Sequence, residues 1–175
     1  MITNSELARA VSVYLHRYSG ESLNLALLWQ SLAQHAKVGT CVHMGTCPML
    51  TVSPVVVDQH HRVLMLRQGD RLVLPEAGLG EHDDTLLDSA KALAREHGLE
   101  DLWLMPGSDD PMMLDPARAA PDDGPRMRVA IRFLFRTHAG LRALSSEAQT
   151  WVPLSEVDIG LARRVGALIA HGQSV

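Results

Sequence analysis

LPEAGLGEHDDTLLDSAKALAREHGL, residues 74–99, joins a short strand to an amphipathic helix through a loop with two glycines. Pro75 cuts the strand RLVLP (71–75), and EAGLGEHD (76–83) forms the loop. A helix follows from about Asp84 to His97. Asp84 or Thr85 can cap it, Leu86, Leu87, Ala90, Leu93 and Ala94 form its apolar stripe, and Gly98 stops it. A helix turns by about 100° per residue, so Thr85, Ser89, Ala92 and Glu96 share one flank beside that stripe.

Upstream, LTVSPVVVD (50–58) reads as a strand, with Pro54 placing it at an edge or bulge. DQHH turns the chain and RVLMLRQ (62–68) returns, a hairpin with a four-residue loop. Downstream, DLWLM (101–105), MRVAIRFLFRT (127–137) and TWVPL (150–154) read as strands, and a last helix covers roughly 155–171. Residues 106–125 are rich in Pro, Gly and Asp and read as a long loop. Two helices come first. Asn4 or Ser5 caps one, which carries Leu7, Val11, Tyr14 and Leu15 at helical spacing and ends at Gly20. The other spans 22–36, with Leu25, Leu28, Trp29 and Leu32 on one stripe. The order ααβββαβββα is an α+β fold: a mixed sheet in an α/β/α sandwich, preceded by a two-helix extension. Residues 1–40 are that extension and 41–175 the main domain.

The chain has 175 residues, 46% hydrophobic and 21% charged, enough to bury a real core as one domain. Its net charge of −4 argues against a general nucleic-acid backbone binder. With 4% aromatic residues it offers no stacking platform for single strands. The N-terminal stretch does not read as a signal peptide, and no apolar run is long enough for a membrane span. The expectation is a cytoplasmic protein with reduced thiols at Cys41 and Cys47.

Residues 74–99 resemble the signature segment of the Nudix hydrolases, G-x5-E-x7-R-E-U-x-E-E-x-G-U, where U is aliphatic. VVVDQHHRVLMLRQ looks like that family's opening hairpin and WVPLSEV like its closing strand and turn. The resemblance covers about residues 48–158, and paired N-terminal helices are an addition seen in some bacterial members. Anchored on Pro75 and Gly98, the register needs no gap. Ala77 then stands for the first glycine, Asp83 for the first acid, Lys91 for the arginine and Ala92 for the next glutamate. Of the final acidic pair, Arg95 replaces the first and Glu96 keeps the second; Gly98 and Leu99 match. The departures fall on the residues that do the family's chemistry.

The resemblance implies carboxylates on the helix flank that hold Mg²⁺ or Mn²⁺, which neutralise a diphosphate and activate a water. This flank carries one carboxylate, with Arg95 beside it to oppose a dication. Glu96 is the best metal ligand, and Glu147, just before the closing strand, can add a second. Glu81, His82 and Asp83 can supply replacements from the loop. Mg²⁺ or Mn²⁺ is implied only if hydrolysis persists; otherwise no cofactor is required.

Three functions compete, all on a small-molecule substrate or ligand. The first is a pyrophosphohydrolase for nucleoside diphosphates linked to another moiety, with altered metal ligation. The second, to which the residues lean, is an eroded site with hydrolysis weak or absent, its pocket turned to metal-independent catalysis on a small metabolite by Glu96, His97, His82 or Asp83. The third is a non-catalytic ligand-binding or regulatory module. Arg67, Lys91 and Arg95 are candidate substrate contacts. Each also has a plainer reading, as a surface or salt-bridging cation. Cys41-x-His43-x3-Cys47 has soft-metal residue types but lacks a second ligand pair of zinc spacing, so buried thiols are the default. Arg128, Arg132 and Arg136 share one face of a strand with Ala130 and Leu134. They read as a half-solvated outer face, with an anion-facing wall as the alternative. The stripe of Leu25, Leu28, Trp29 and Leu32 also offers a homodimer contact.

Overall fold

The structure, a computed structural model, describes residues 3–38, 47–79, 85–105, 108–138 and 148–172. Helices α1 (Asn4–Arg17) and α2 (Ala26–Val38) come first, joined through a 3-10 turn at Ser19–Glu21. Strands β1 (Met49–Val57), β2 (Arg62–Gln68), β3 (Arg71–Val73) and β4 (Ala77–Gly78) lead to helix α3 (Leu86–Glu96). Strands β5 (Leu102–Leu104), β6 (Met113–Arg118), β7 (Met127–Thr137) and β8 (Gln149–Pro153) follow, and α4 (Ile159–Gly172) ends the fold.

The eight strands among the described residues form one mixed sheet with the central order β3-β2-β1-β7-β5. β4 adds to β1, β6 to β7 and β8 to β2. β1 and β7 run parallel over their shared length, from Met49 opposite Arg128 to Val57 opposite Arg136. The other pairs are antiparallel. No helix among the described residues is long and apolar enough to cross a membrane.

The two central strands are largely buried on both faces because both are covered, although one face of β7 also carries Arg128, Arg132 and Arg136. Val52, Val56, Ile131, Phe133 and Phe135 meet Leu86, Ala90 and Ala94 of α3. The same cluster takes in Leu7, Val11 and Tyr14 of α1 and Leu25, Leu28 and Leu32, the last two on α2. On the opposite face Val55, Val57, Val63 and Leu134 pack with Leu161, Val165 and Ile169 of α4. The result is the expected α/β/α layering. Leu25, Leu28 and Leu32 of the proposed dimer stripe are thus spent inside the chain's own core, and Trp29 alone remains 45% exposed.

The β1–β2 hairpin forms as the sequence predicts. The buried Asp58 organises its four-residue loop: Oδ1 accepts the N–H groups of His60 and Arg62, and Oδ2 accepts Arg62 Nε at 2.8 Å. His61 takes a left-handed φ of 58° there.

The stretch read as a long loop contains a strand. β6 pairs antiparallel with β7 from Met113 opposite Arg132 to Arg118 opposite Met127. Its Asp and Pro residues hide it from composition, but β6 has one strand partner, so the missing N–H of Pro116 is tolerated on an edge. β4, two residues long, likewise lies inside the stretch read as loop.

A polar cluster ties the α1–α2 junction to α4. The Tyr14 hydroxyl donates to Glu21 at 2.5 Å. Arg164 of α4 pairs with the same Glu21 carboxylate. Its guanidinium lies 3.7 Å from the Tyr18 ring centroid and donates to the Met112 carbonyl at 3.3 Å. Burial, and then the hydrogen bond to Glu21, push the Tyr14 hydroxyl up to about 12. Since the folded value lies above the unfolded one near 10, the stabilisation is fully present below pH 10 and is lost as pH rises through 12. Urea unfolding of the chain and its Tyr14→Phe variant at pH 9 and pH 11.5 is expected to show the stability difference between them shrinking at the higher pH. A difference that grows with pH would overturn this.

Candidate functional site

Helix α3 is built by its caps. Thr85 Oγ1 accepts the N–H of Asp88 at 3.0 Å and donates to the Asp88 carboxylate at 2.8 Å. The N–H of Leu86 donates to Glu6 of α1 at 2.8 Å, so the N-terminal helix supplies a second acceptor to the start of α3. Gly98, at φ 80°, closes the other end, its N–H on the Arg95 carbonyl at 2.8 Å.

Of the sequence-derived site residues, Arg67, Lys91, Arg95, Glu96 and His97 lie among the described ones. Ala92, Arg95 and Glu96 are exposed on the outer side of α3. Lys91 lies 3.8 Å from Asp88 on the same helix. His97 caps α3, with Nδ1 3.3 Å from Gln149 Nε2 at the start of β8. Arg67 is exposed near the end of β2, its backbone N–H on the Ala148 carbonyl. Glu81, His82, Asp83 and Glu147 lie outside the described residues, as do Cys41 and His43. Cys47 Sγ lies 3.5 Å from His35 Nε2.

Mg²⁺ or Mn²⁺ needs several hard oxygen ligands. The described flank of α3 supplies one carboxylate, Glu96. Among the described residues no three His, Cys, Asp or Glu side chains come together to hold a metal ion. Glu96 by itself supplies too few ligands for a dication, and the other carboxylates named from the sequence, Glu81, Asp83 and Glu147, lie outside the described residues.

A cavity of about 740 Å³ lies over the sheet beside the start of α4. Met49, Met65, Met113 and Leu161 give it apolar walls, and the segment Leu72–Gly78 lines one side. Two guanidinium–carboxylate pairs also line it. Arg132, 8% exposed, lies 2.5 Å from Asp115 on β6 and donates to Ser53 at 3.2 Å. Arg128 Nε is 3.2 Å from Glu76 Oε1 without being aligned to donate to it. Thr51 donates to the same Glu76 oxygen at 2.6 Å. Among the described residues Asp123 and Asp158, both exposed, also line it.

Two of the three evenly spaced arginines therefore line this cavity, Arg132 nearly buried and Arg128 with its side chain still 39% exposed. Their shared face was legible from the spacing. Sequence reasoning missed Glu76, Asp115 and Asp158. Glu76 stands inside the decisive stretch, one residue after Pro75. Asp115 was out of reach because its strand was read as loop. None of Glu96, His97, Lys91, Arg95 and Arg67 lines the cavity.

No family model matches the chain, and no curated protein matches it in sequence. Solved structures match its fold. The crystal structure of Shewanella oneidensis NrtR superposes with a TM-score of 0.51 at 15% identity, over 70% of this chain and 63% of that one. A mutT/nudix family protein from Listeria innocua matches with a TM-score of 0.50 at 12% identity, over 70% of this chain and 94% of that one. A C. elegans Ap4A hydrolase binary complex matches with a TM-score of 0.50 at 12% identity, over 70% and 98%. This chain thus spans less than two thirds of the NrtR chain. Identities this low establish likeness of fold.

Proposed function

From the Nudix fold as premise, we propose that this chain has weak or no metal-dependent hydrolysis of nucleoside diphosphate derivatives and binds a small metabolite in the cavity beside α4. The observation that carries this reading is the separation of two features. The helix flank that resembles the metal-binding segment offers Glu96 as its one carboxylate, while the cavity carries ordered polar pairs and apolar walls. A site of that composition suits a partly apolar ligand fixed by a few polar groups. Glu96 and His97 do not line it, so the described geometry favours binding over acid–base turnover by these two residues.

The test is a product assay. The full chain and its Glu96→Gln variant are incubated with a panel of nucleoside diphosphate derivatives, with and without Mg²⁺ or Mn²⁺. The expected result is no cleavage above background by either protein. Metal-dependent cleavage that disappears in the variant would overturn the reading and restore Glu96 as a metal ligand.

A further inference from the structure

Helix α2 turns Leu28 and Leu32 into the core and leaves an outward face that is apolar too. Leu23, in the turn that enters α2, is 88% exposed, Leu27 57% and Trp29 45%. They are three of the five large apolar side chains exposed among the described residues, so this surface is concentrated within seven positions. At about 100° per residue, Leu27 and Trp29 fall on the two shoulders of the face, with the small Ala26 and Ala33 and the uncharged Gln30 between them. Leu15 of α1 joins Ser22, Leu23, Ala26, Trp29 and Gln30 in lining a groove of about 370 Å³ there.

The charge pattern says what fits this face. From Ser22 to Ala36 the chain has no Asp, Glu, Lys or Arg, although 21% of its residues are charged. Glu21, just before the stretch, is neutralised by Arg164. Two copies, each with a net charge of −4, meet repulsion or a desolvation cost wherever their charged side chains come together. On the outward face of α2 they meet with no like charges in contact and no charge to desolvate. A charged partner finds no opposite charge here to steer it. The patch also carries both halves of a contact. Leu23 projects as a knob beside the groove, so a two-fold axis sets the knob of each copy in the groove of the other. Interface centres are depleted in charge and enriched in aromatic side chains such as Trp29.

We propose that the outward face of α2 is a self-association surface on which a second copy of this chain docks as a two-fold dimer. Leu23, Leu27 and Trp29 expose roughly 400 Å² per copy, about half of the roughly 800 Å² that each partner buries in a stable complex. The dimer is therefore weak and forms and dissociates with concentration.

Sedimentation velocity of the full chain under reducing conditions, from about 5 to 500 µM, is the test, because a contact of this size belongs to the transient class. The average mass is expected to rise from monomer towards dimer, with half-conversion at about 10–100 µM. Leu23→Asp changes an exposed side chain outside the core, so the variant should keep its far-UV circular dichroism and lose at least about tenfold in dimer affinity. Ile159→Asp adds the same charge at another exposed apolar position, at the start of α4, and is expected to dimerise like the parent. A parent that stays monomeric throughout would overturn the proposal, as would association that survives Leu23→Asp or is lost equally in Ile159→Asp. Growth beyond a dimer would overturn the two-fold contact. A monomer that floats with neutral phosphatidylcholine vesicles, and does so only with Leu23 intact, would overturn the second copy in favour of a lipid surface.

Discussion

A chain shortened to begin at Cys47 is expected to fail to fold, and to be recovered as aggregate or as an unfolded polypeptide. Leu7, Val11, Tyr14, Leu25, Leu28 and Leu32 are buried in one cluster with Val52, Phe133 and Phe135 of the sheet. Burying a large apolar side chain contributes roughly 1.5–3 kcal/mol. Six such side chains rival the roughly 5–15 kcal/mol by which a whole domain is stable. The shortened chain also bares the sheet partners those side chains covered, and it deprives α3 of the Glu6 acceptor on Leu86. Far-UV circular dichroism with thermal unfolding checks this. A cooperative transition in the shortened chain would show that the two helices are dispensable to the core.

Arg164→Ala is expected to lower stability by about 2–3 kcal/mol, the worth of a charge-assisted hydrogen bond and a cation–π contact made away from bulk water. The side chain is 17% exposed, pairs with Glu21 and covers the Tyr18 ring. Its loss leaves Glu21 facing the Tyr14 hydroxyl with no cation between them and water. Arg164→Lys should recover only part of the loss, because an ammonium cannot lie flat on the ring while also bonding the Met112 carbonyl. Urea unfolding of the three proteins gives the comparison. Equal midpoints for the alanine variant and the parent would remove the cluster from the account of stability.

The fold was legible where periodicity was strong. The alternation and apolar runs of residues 50–68 and 127–137, and the stripe of Leu86, Ala90, Leu93 and Ala94, specify the hairpin, the central strand and α3 without tertiary information. Thr85 was among the two caps expected, and Gly98 stops the helix as its position requires. β6 was illegible because Asp115 and Pro116 carry the composition of a turn, and only pairing with β7 makes Met113–Arg118 a strand. The candidate site was legible in a weaker sense. Spacing put Arg128, Arg132 and Arg136 on one face. Whether that face meets water or a cavity depends on β6 and α4, which lie near in space but far in sequence. Glu76 gave no signal of its own, since its role comes from Thr51 and Arg128 on two other strands.

The parallel seam between β1 and β7 also sets a timetable for synthesis. The bond from Arg132 to Ser53 spans 79 residues, and the pair between Glu21 and Arg164 spans 143. On a ribosome the first two helices emerge with their apolar faces uncovered. They must wait for β7 before the sheet's centre can close, and for α4 before the last clasp forms. Contacts of such long separation slow folding and prolong the exposure of apolar surface. The nascent chain is therefore most vulnerable to aggregation in the interval before residue 137 leaves the exit tunnel, when half of the core has been made and has nothing to lie against.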